Sequence, residues 1–133
     1  MSSEENVALV KRAIAAVNAR DLEGYLACCT ADIELSTPLD AVAGVYERAD
    51  GLARFLVDIA DAGPDFRIEV QRVEAVGEDR VVAFVRTSSS GRVSGIPTAA
   101  DATNVYDILD GRIRRIRIFL DRQEALRAAG HKG

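Results

Sequence analysis

Residues 66–90 read FRIEVQRVEAVGEDRVVAFVRTSSS, and they set the architecture because apolar residues recur here with a period of two. Phe66, Ile68 and Val70 alternate in one phase and Val73 and Ala75 in the other, so one residue near Gln71-Arg72 is extra and a β-bulge is expected there. Gly77-Glu78-Asp79 is a turn. The segment from Arg80 to Ser89 is apolar on both faces through Val81, Val82, Ala83, Phe84 and Val85. It then turns polar through Arg86, Ser88 and Ser89, as a strand does when it passes from a core to the mouth of a cavity.

Downstream, a Gly- and Ser-rich connection from Ser90-Gly91 to Pro97 leads into a strand over Ala102–Leu109. The Asp110-Gly111 pair is a hairpin turn and Arg112–Leu120 the returning strand. Asp121 with Glu124 then starts a closing helix that ends near Gly130. Upstream the period is helical. Val7, Val10, Ile14 and Val17 share one face behind a Ser2–Glu5 capping box. Asp21 caps a shorter helix carrying Leu22, Tyr25, Leu26 and Cys29 on one side. Ile33 to Thr37 is a short strand ended by Pro38, and Asp40 to Arg48 is a loop placed to rim a cavity. Asp50 caps a third helix through Leu52, Phe55, Leu56 and Ile59, stopped at Ala62-Gly63-Pro64-Asp65. Helices followed by a bent meander make an α+β chain, not α/β. The expected form is a cone-shaped curved antiparallel sheet with the N-terminal helices packed on its concave side. Its interior need not be filled by its own side chains.

The 133 residues, 48% hydrophobic and 29% charged, are expected to form a single domain over 1–133. A net charge of -4 and a pI near 5.0 disfavour nucleic acid as a partner. No apolar run approaches the ~20 residues of a membrane span, so no membrane partner is expected. The acidic, amphipathic N-terminus lacks the pattern of a secretory signal, which points to a cytoplasmic protein. Cys28 and Cys29 are neighbours without CxxC spacing, and the single His131 lies in a terminus prone to fray. Neither a disulfide framework nor a metal site is expected. Buried packing is the reading for both cysteines. Gly91 and Gly95, with no helix start after them, do not make a phosphate cradle.

Three stretches, AIAAVNARDLEGYLACCTADIEL (13–35), GLARFLVDIADAGPDFRIEV (51–70) and NVYDILDGRIRRIRIFLDRQEALRAAG (104–130), resemble the SnoaL-like branch of the nuclear transport factor two-like superfamily, whose best understood member is ketosteroid isomerase. The resemblance covers nearly the whole chain. It implies the cystatin-like cone, a homodimer packed through the outer sheet faces, an apolar small molecule held in the cone, and no cofactor. Carried over by position, the isomerase's oxyanion Tyr falls on Ala13, its base on Thr37 and its second oxyanion donor on Asn104. None matches, and Thr37 is no base near neutral pH, so steroid isomerisation of the usual kind is not expected. The Asp-Arg-Asp set of limonene epoxide hydrolase falls on Val85, Thr87 and Ile118, which also depart from it. Polyketide cyclases of the SnoaL type need only one pocket acid.

With Asn104 set inward by the resemblance, alternation puts Ala102, Tyr106 and Ile108 on the same wall. Asn104 and Tyr106 are the candidates to orient a carbonyl or hydroxyl of an otherwise apolar ligand; their other reading is a self-bonded core Asn and a packing Tyr. Thr37 and Tyr46 are further candidate ligand contacts. Asp40, the carboxylate nearest the vacant base position, is the candidate general base, against the plain reading of a solvated loop Asp. Asp101 is a weaker alternative. Arg86 reads as half of an outward ion pair and Asp121 as a helix cap. The ribbon of Arg112, Arg114, Arg115 and Arg117 is expected to meet Glu69 and Glu74 across strands. Two functions stay open: an acid/base isomerase, cyclase or hydrolase acting on an apolar carbonyl or hydroxyl compound, or a non-catalytic ligand-binding or dimerisation module.

Overall fold

In a computed structural model the described residues are 2–38, 44–63, 65–90 and 97–130. Helix α1 (Ser3–Ala19) starts where the Ser2 hydroxyl accepts the Glu5 N–H at 3.1 Å, the cap read from the sequence; the Glu5 carboxylate turns back to accept from the Ser2 hydroxyl at 3.1 Å rather than from its backbone N–H. It ends on Arg20, a non-glycine residue at φ 56°. The side chain holds that left-handed turn by donating to the Val17 carbonyl at 2.8 Å and the Phe66 carbonyl at 2.7 Å. Helix α2 (Leu22–Ala27) is capped by Asp21, which accepts the Gly24 N–H at 3.0 Å. Helix α3 (Arg48–Ala62) begins two residues before the expected Asp50, which sits in the first turn instead.

Six strands follow the order β2-β1-β6-β5-β4-β3 in one curved, unclosed sheet: β1 (Cys29–Thr37), β2 (Gly44–Glu47), β3 (Arg67–Ala75), β4 (Arg80–Ser90), β5 (Pro97–Leu109) and β6 (Arg112–Phe119). The neighbours are antiparallel except β1 and β6, which run parallel and make the sheet mixed. Bulges fall between Val70 and Arg72, as expected, and also beside Asp107 and within β1. Each adds twist and bends the sheet into the cone. Strand β2, part of the stretch read as a loop, pairs with β1 from Glu34–Glu47 to Thr37–Gly44. The turn residues Asp110 (φ 51°) and Gly111 (φ 78°) both take positive φ, as a two-residue hairpin of this twist requires.

The core lies on the inner face. Val81, Ala83 and Val85 of β4, with Ala102, Tyr106 and Ile108 of β5, pack beneath α1, α2 and α3. The alternate residues Val82, Phe84 and Val105 point to the outer face. Helix α4 (Arg122–Ala129) covers them there with Ala125 and Ala129. Asp121 caps α4 by accepting the Gln123 and Glu124 N–H groups at 2.8 and 3.3 Å.

The arginine ribbon finds a different partner from the one expected. β3, which carries Glu69 and Glu74, lies three strands from β6. Asp107 of adjacent β5 instead receives Arg80 at 2.7 Å, Arg115 at 3.0 Å and Arg117 at 3.6 Å on the outer face. Burial works against the Asp107 carboxylate, but Arg80, Arg117 and Arg115 hold its pKa below the ordinary value. Glu74 pairs with Arg72 on its own strand.

Candidate functional site

The period of two on β5 brings Asn104 and Tyr106 side by side on the inner face, where both are buried. The Asn104 Nδ2 donates to the Tyr106 hydroxyl at 3.2 Å. That leaves Asn104 Oδ1, on a residue only 4% exposed, with no hydrogen-bond partner among the described residues. A buried acceptor left unmade costs about 1–3 kcal/mol. The pair forms one wall of an internal cavity of about 20 Å³, lined otherwise by apolar groups such as Ala13, Leu35, Phe55 and Ile118, and by Tyr25 of α2. That volume admits about one water, so the cone is close to filled by its own side chains.

The cavity's ionisable groups stay neutral. Burial pushes the Tyr106 hydroxyl up to about 12, against the hydrogen bond from Asn104. Tyr25 is raised well above 10.0 by burial and by the neighbouring Tyr106. Cys29 is likewise pushed up to about 12 by burial, and Cys28 is raised despite Arg12 beside it. Both thiols are free and buried, as packing residues are.

Thr37 is buried on the last residue of β1. It does not touch the internal cavity; it lines an apolar slot beside it. Tyr46 is on β2 and not in a rim loop. It turns inward under α3, where its hydroxyl donates to Asp58 at 2.7 Å and its ring meets Phe55 edge-on at 5.3 Å. The reason is that Asp58 of α3 offers an acceptor, so the ring can be buried with its polar tip satisfied. Asp40 lies outside the described residues, as do Gly91, Gly95 and His131. Asp101 faces outward and pairs with Arg86 at 3.0 Å, the outward ion pair expected for Arg86. Among the described residues no group of three or more His, Cys, Asp or Glu is gathered to hold a metal, and no helix is long and apolar enough to cross a membrane.

The slot was not foreseen. β1 and β6 pair as far as Ser36 and Arg117, then part: Thr37 goes on to pair with Gly44 of β2, while Ile118 and Phe119 go on with Asn104 and Thr103 of β5. Between the separated ends lies a space of about 530 Å³. Its banks are Thr37, Pro38 and Val45 on one side and Ile118, Phe119 and Leu120 on the other, with Asp121 and Glu124 also in its lining. Ile118 lines both the slot and the internal cavity. Tyr25 was legible as a residue on the apolar side of α2. Nothing in its spacing told which side chain across the cone it would meet.

The sequence matches the family model of the SnoaL-like domain over residues 10–116. No protein of curated function matches it. Among solved structures it is similar to an NTF2-like protein from Burkholderia xenovorans LB400, at 25% identity and TM-score 0.75, with 97% of this chain and 98% of that one covered. It is also similar to TerC co-crystallized with polyporic acid, at 21% identity and TM-score 0.77, covering 95% and 98%. A third is a protein of ketosteroid isomerase-like fold from Catenulispora acidiphila DSM 44928 in complex with trimethylamine, at 11% identity and TM-score 0.75, covering 93% of each chain.

Proposed function

The chain belongs to the SnoaL-like domain family, and from that premise we propose that it is a cytoplasmic homodimer that binds an apolar small molecule through one hydroxyl or carbonyl group, anchored by Asn104 and Tyr106. The observation that carries this reading is the unpartnered Asn104 Oδ1, buried in an apolar wall next to a phenol. Such a pair in an apolar cavity is an arrangement that orients a ligand at small cost to its apolar contacts. Two solved structures of the same fold, with polyporic acid and with trimethylamine, support a small-molecule role for the cone.

Acid/base isomerisation, cyclisation or hydrolysis there would draw its carboxylate from Asp40. One observation favours the non-catalytic alternative. Among the described residues lining the internal cavity, the ionisable groups are Tyr25 and Tyr106, and neither loses its proton near neutral pH. Turnover of any bound compound that disappears in Asp40→Asn would decide for the enzyme.

The anchoring is tested with 1-pentanol and n-pentane, which differ by one hydroxyl, using calorimetry. The alcohol is expected to bind about 5–10-fold more tightly, the worth of one net hydrogen bond. Asn104→Ala is expected to erase the difference and Tyr106→Phe to reduce it. Equal affinity for the two compounds in the unaltered chain would refute the anchor.

A further inference from the structure

The internal cavity of about 20 Å³ holds a polar end group but not a whole ligand. The slot of about 530 Å³ is large enough for a ligand but has no unsatisfied polar wall. The two meet at a single side chain, the half-buried Ile118. The slot opens where β1 and β6 part, and Ile118 is the β6 residue paired with Asn104.

We infer that the slot is the outer half of the same ligand site, with Ile118 the partition between the halves, so that the ligand is a neutral alcohol with a slender, straight apolar tail. This rests on the anchoring reading above and extends it. The head that uses the site fully both donates and accepts: Asn104 Oδ1 is an open acceptor, and the Tyr106 hydroxyl, which accepts from Asn104 Nδ2, keeps its own proton to give. An alcohol makes both bonds, a ketone only the one from Tyr106, and an ionised carboxylate would set negative charge against Oδ1. The acids in the slot's lining, Asp121 and Glu124, also disfavour an anion entering through it. The tail must be slender because it passes Ile118. It must be apolar because Val45 and Leu120, respectively 52% and 50% exposed, gain from being covered.

The test is calorimetric titration of the full chain with the 1-alkanols from 1-butanol to 1-decanol, and with 2-decanone. Affinity is expected to rise up to about fourfold per methylene, the full-burial value, while the tail lengthens along the slot. 2-Decanone should bind more weakly than 1-decanol. Val45→Ser and Leu120→Ser change half-exposed side chains and leave the core intact. They should weaken 1-decanol severalfold and leave 1-butanol unchanged. Ile118→Ala should improve binding of 2-ethyl-1-hexanol, whose branch lies next to the head, about tenfold. An affinity that stops rising at 1-butanol while still falling in Asn104→Ala overturns the slot and leaves the anchor standing. Length dependence without any Asn104 effect overturns the anchor, and the joined site with it. Tighter binding of 2-decanone than of 1-decanol overturns the choice of head group, and no binding of any alkanol overturns both readings.

Discussion

Tyr25, Tyr46 and Tyr106 are all the tyrosines of the chain, and all three are in the interior. Burial raises each phenol; Asp58 raises Tyr46 further, to about 12, the value Tyr106 also reaches. A phenol whose pKa is higher in the fold than in the unfolded chain stabilises the fold while it keeps its proton. That contribution is complete below about pH 10 and is lost as pH rises toward 12. Absorbance at 295 nm is therefore expected to show no tyrosinate at pH 10 and then a rise near pH 12 that coincides with loss of structure. A separate titration near pH 10 would mean that one phenol meets water. Asn104 and Tyr106 were legible as neighbours because a strand repeats every two residues. Their mutual hydrogen bond and the orphaned Oδ1 were not, since periodicity assigns faces and says nothing of which atoms remain unbonded. Tyr46 shows the converse: its partner Asp58 is twelve residues away on a helix, beyond any local pattern.

Helix starts were the most legible elements, because a cap is a bond between residues two or three apart. Ser2, Asp21 and Asp121 all cap as read. Replacing Asp121 by Ala should cost about 1 kcal/mol, seen as a lower urea midpoint with unchanged slope; no shift would mean that α4 is held by Ala125 and Ala129 alone. At α3 the same signal misled. Asp50 has the chemistry of a cap, but β2 continues to Glu47 and leads straight into the helix, so Asp50 is already inside it. Strand β2 escaped because its four residues, Gly44–Glu47, are too few for alternation to be seen. The parallel β1–β6 pair escaped because alternation fixes a strand's faces without naming its neighbour. The same gap sent Arg115 and Arg117 to Glu69 and Glu74 on paper, although Asp107 stands across from them.

At the scale of the molecule, the helices-then-strands order was enough for the α+β cone. The near-absence of free volume inside it was beyond reach, because cavity size depends on how Phe55, Leu35 and Ile118 pack together. The proposed homodimer belongs to this scale as well. Helix α4 already covers Val82, Phe84 and Val105, and the neighbouring outer surface carries Arg80, Asp107, Arg115 and Arg117. A dimer through that face should be seen by sedimentation equilibrium at micromolar concentration and should weaken as salt rises. Monomer throughout would contradict it.

The sheet is open, so its two outermost strands each have one edge without a strand neighbour, and such an edge is how one chain recruits another into a fibre. On one side β2 offers only four residues. On the other, β3 offers nine, but Asn18 of α1 takes both backbone groups of Ile68, donating to its carbonyl at 2.9 Å and accepting its N–H at 2.8 Å. A single amide thus imitates the next strand and occupies the place where an intruding chain would start. Asn18→Ala is expected to leave the isolated fold largely intact but to shorten the lag before turbidity on mild heating; an unchanged lag would assign the protection to other features of β3.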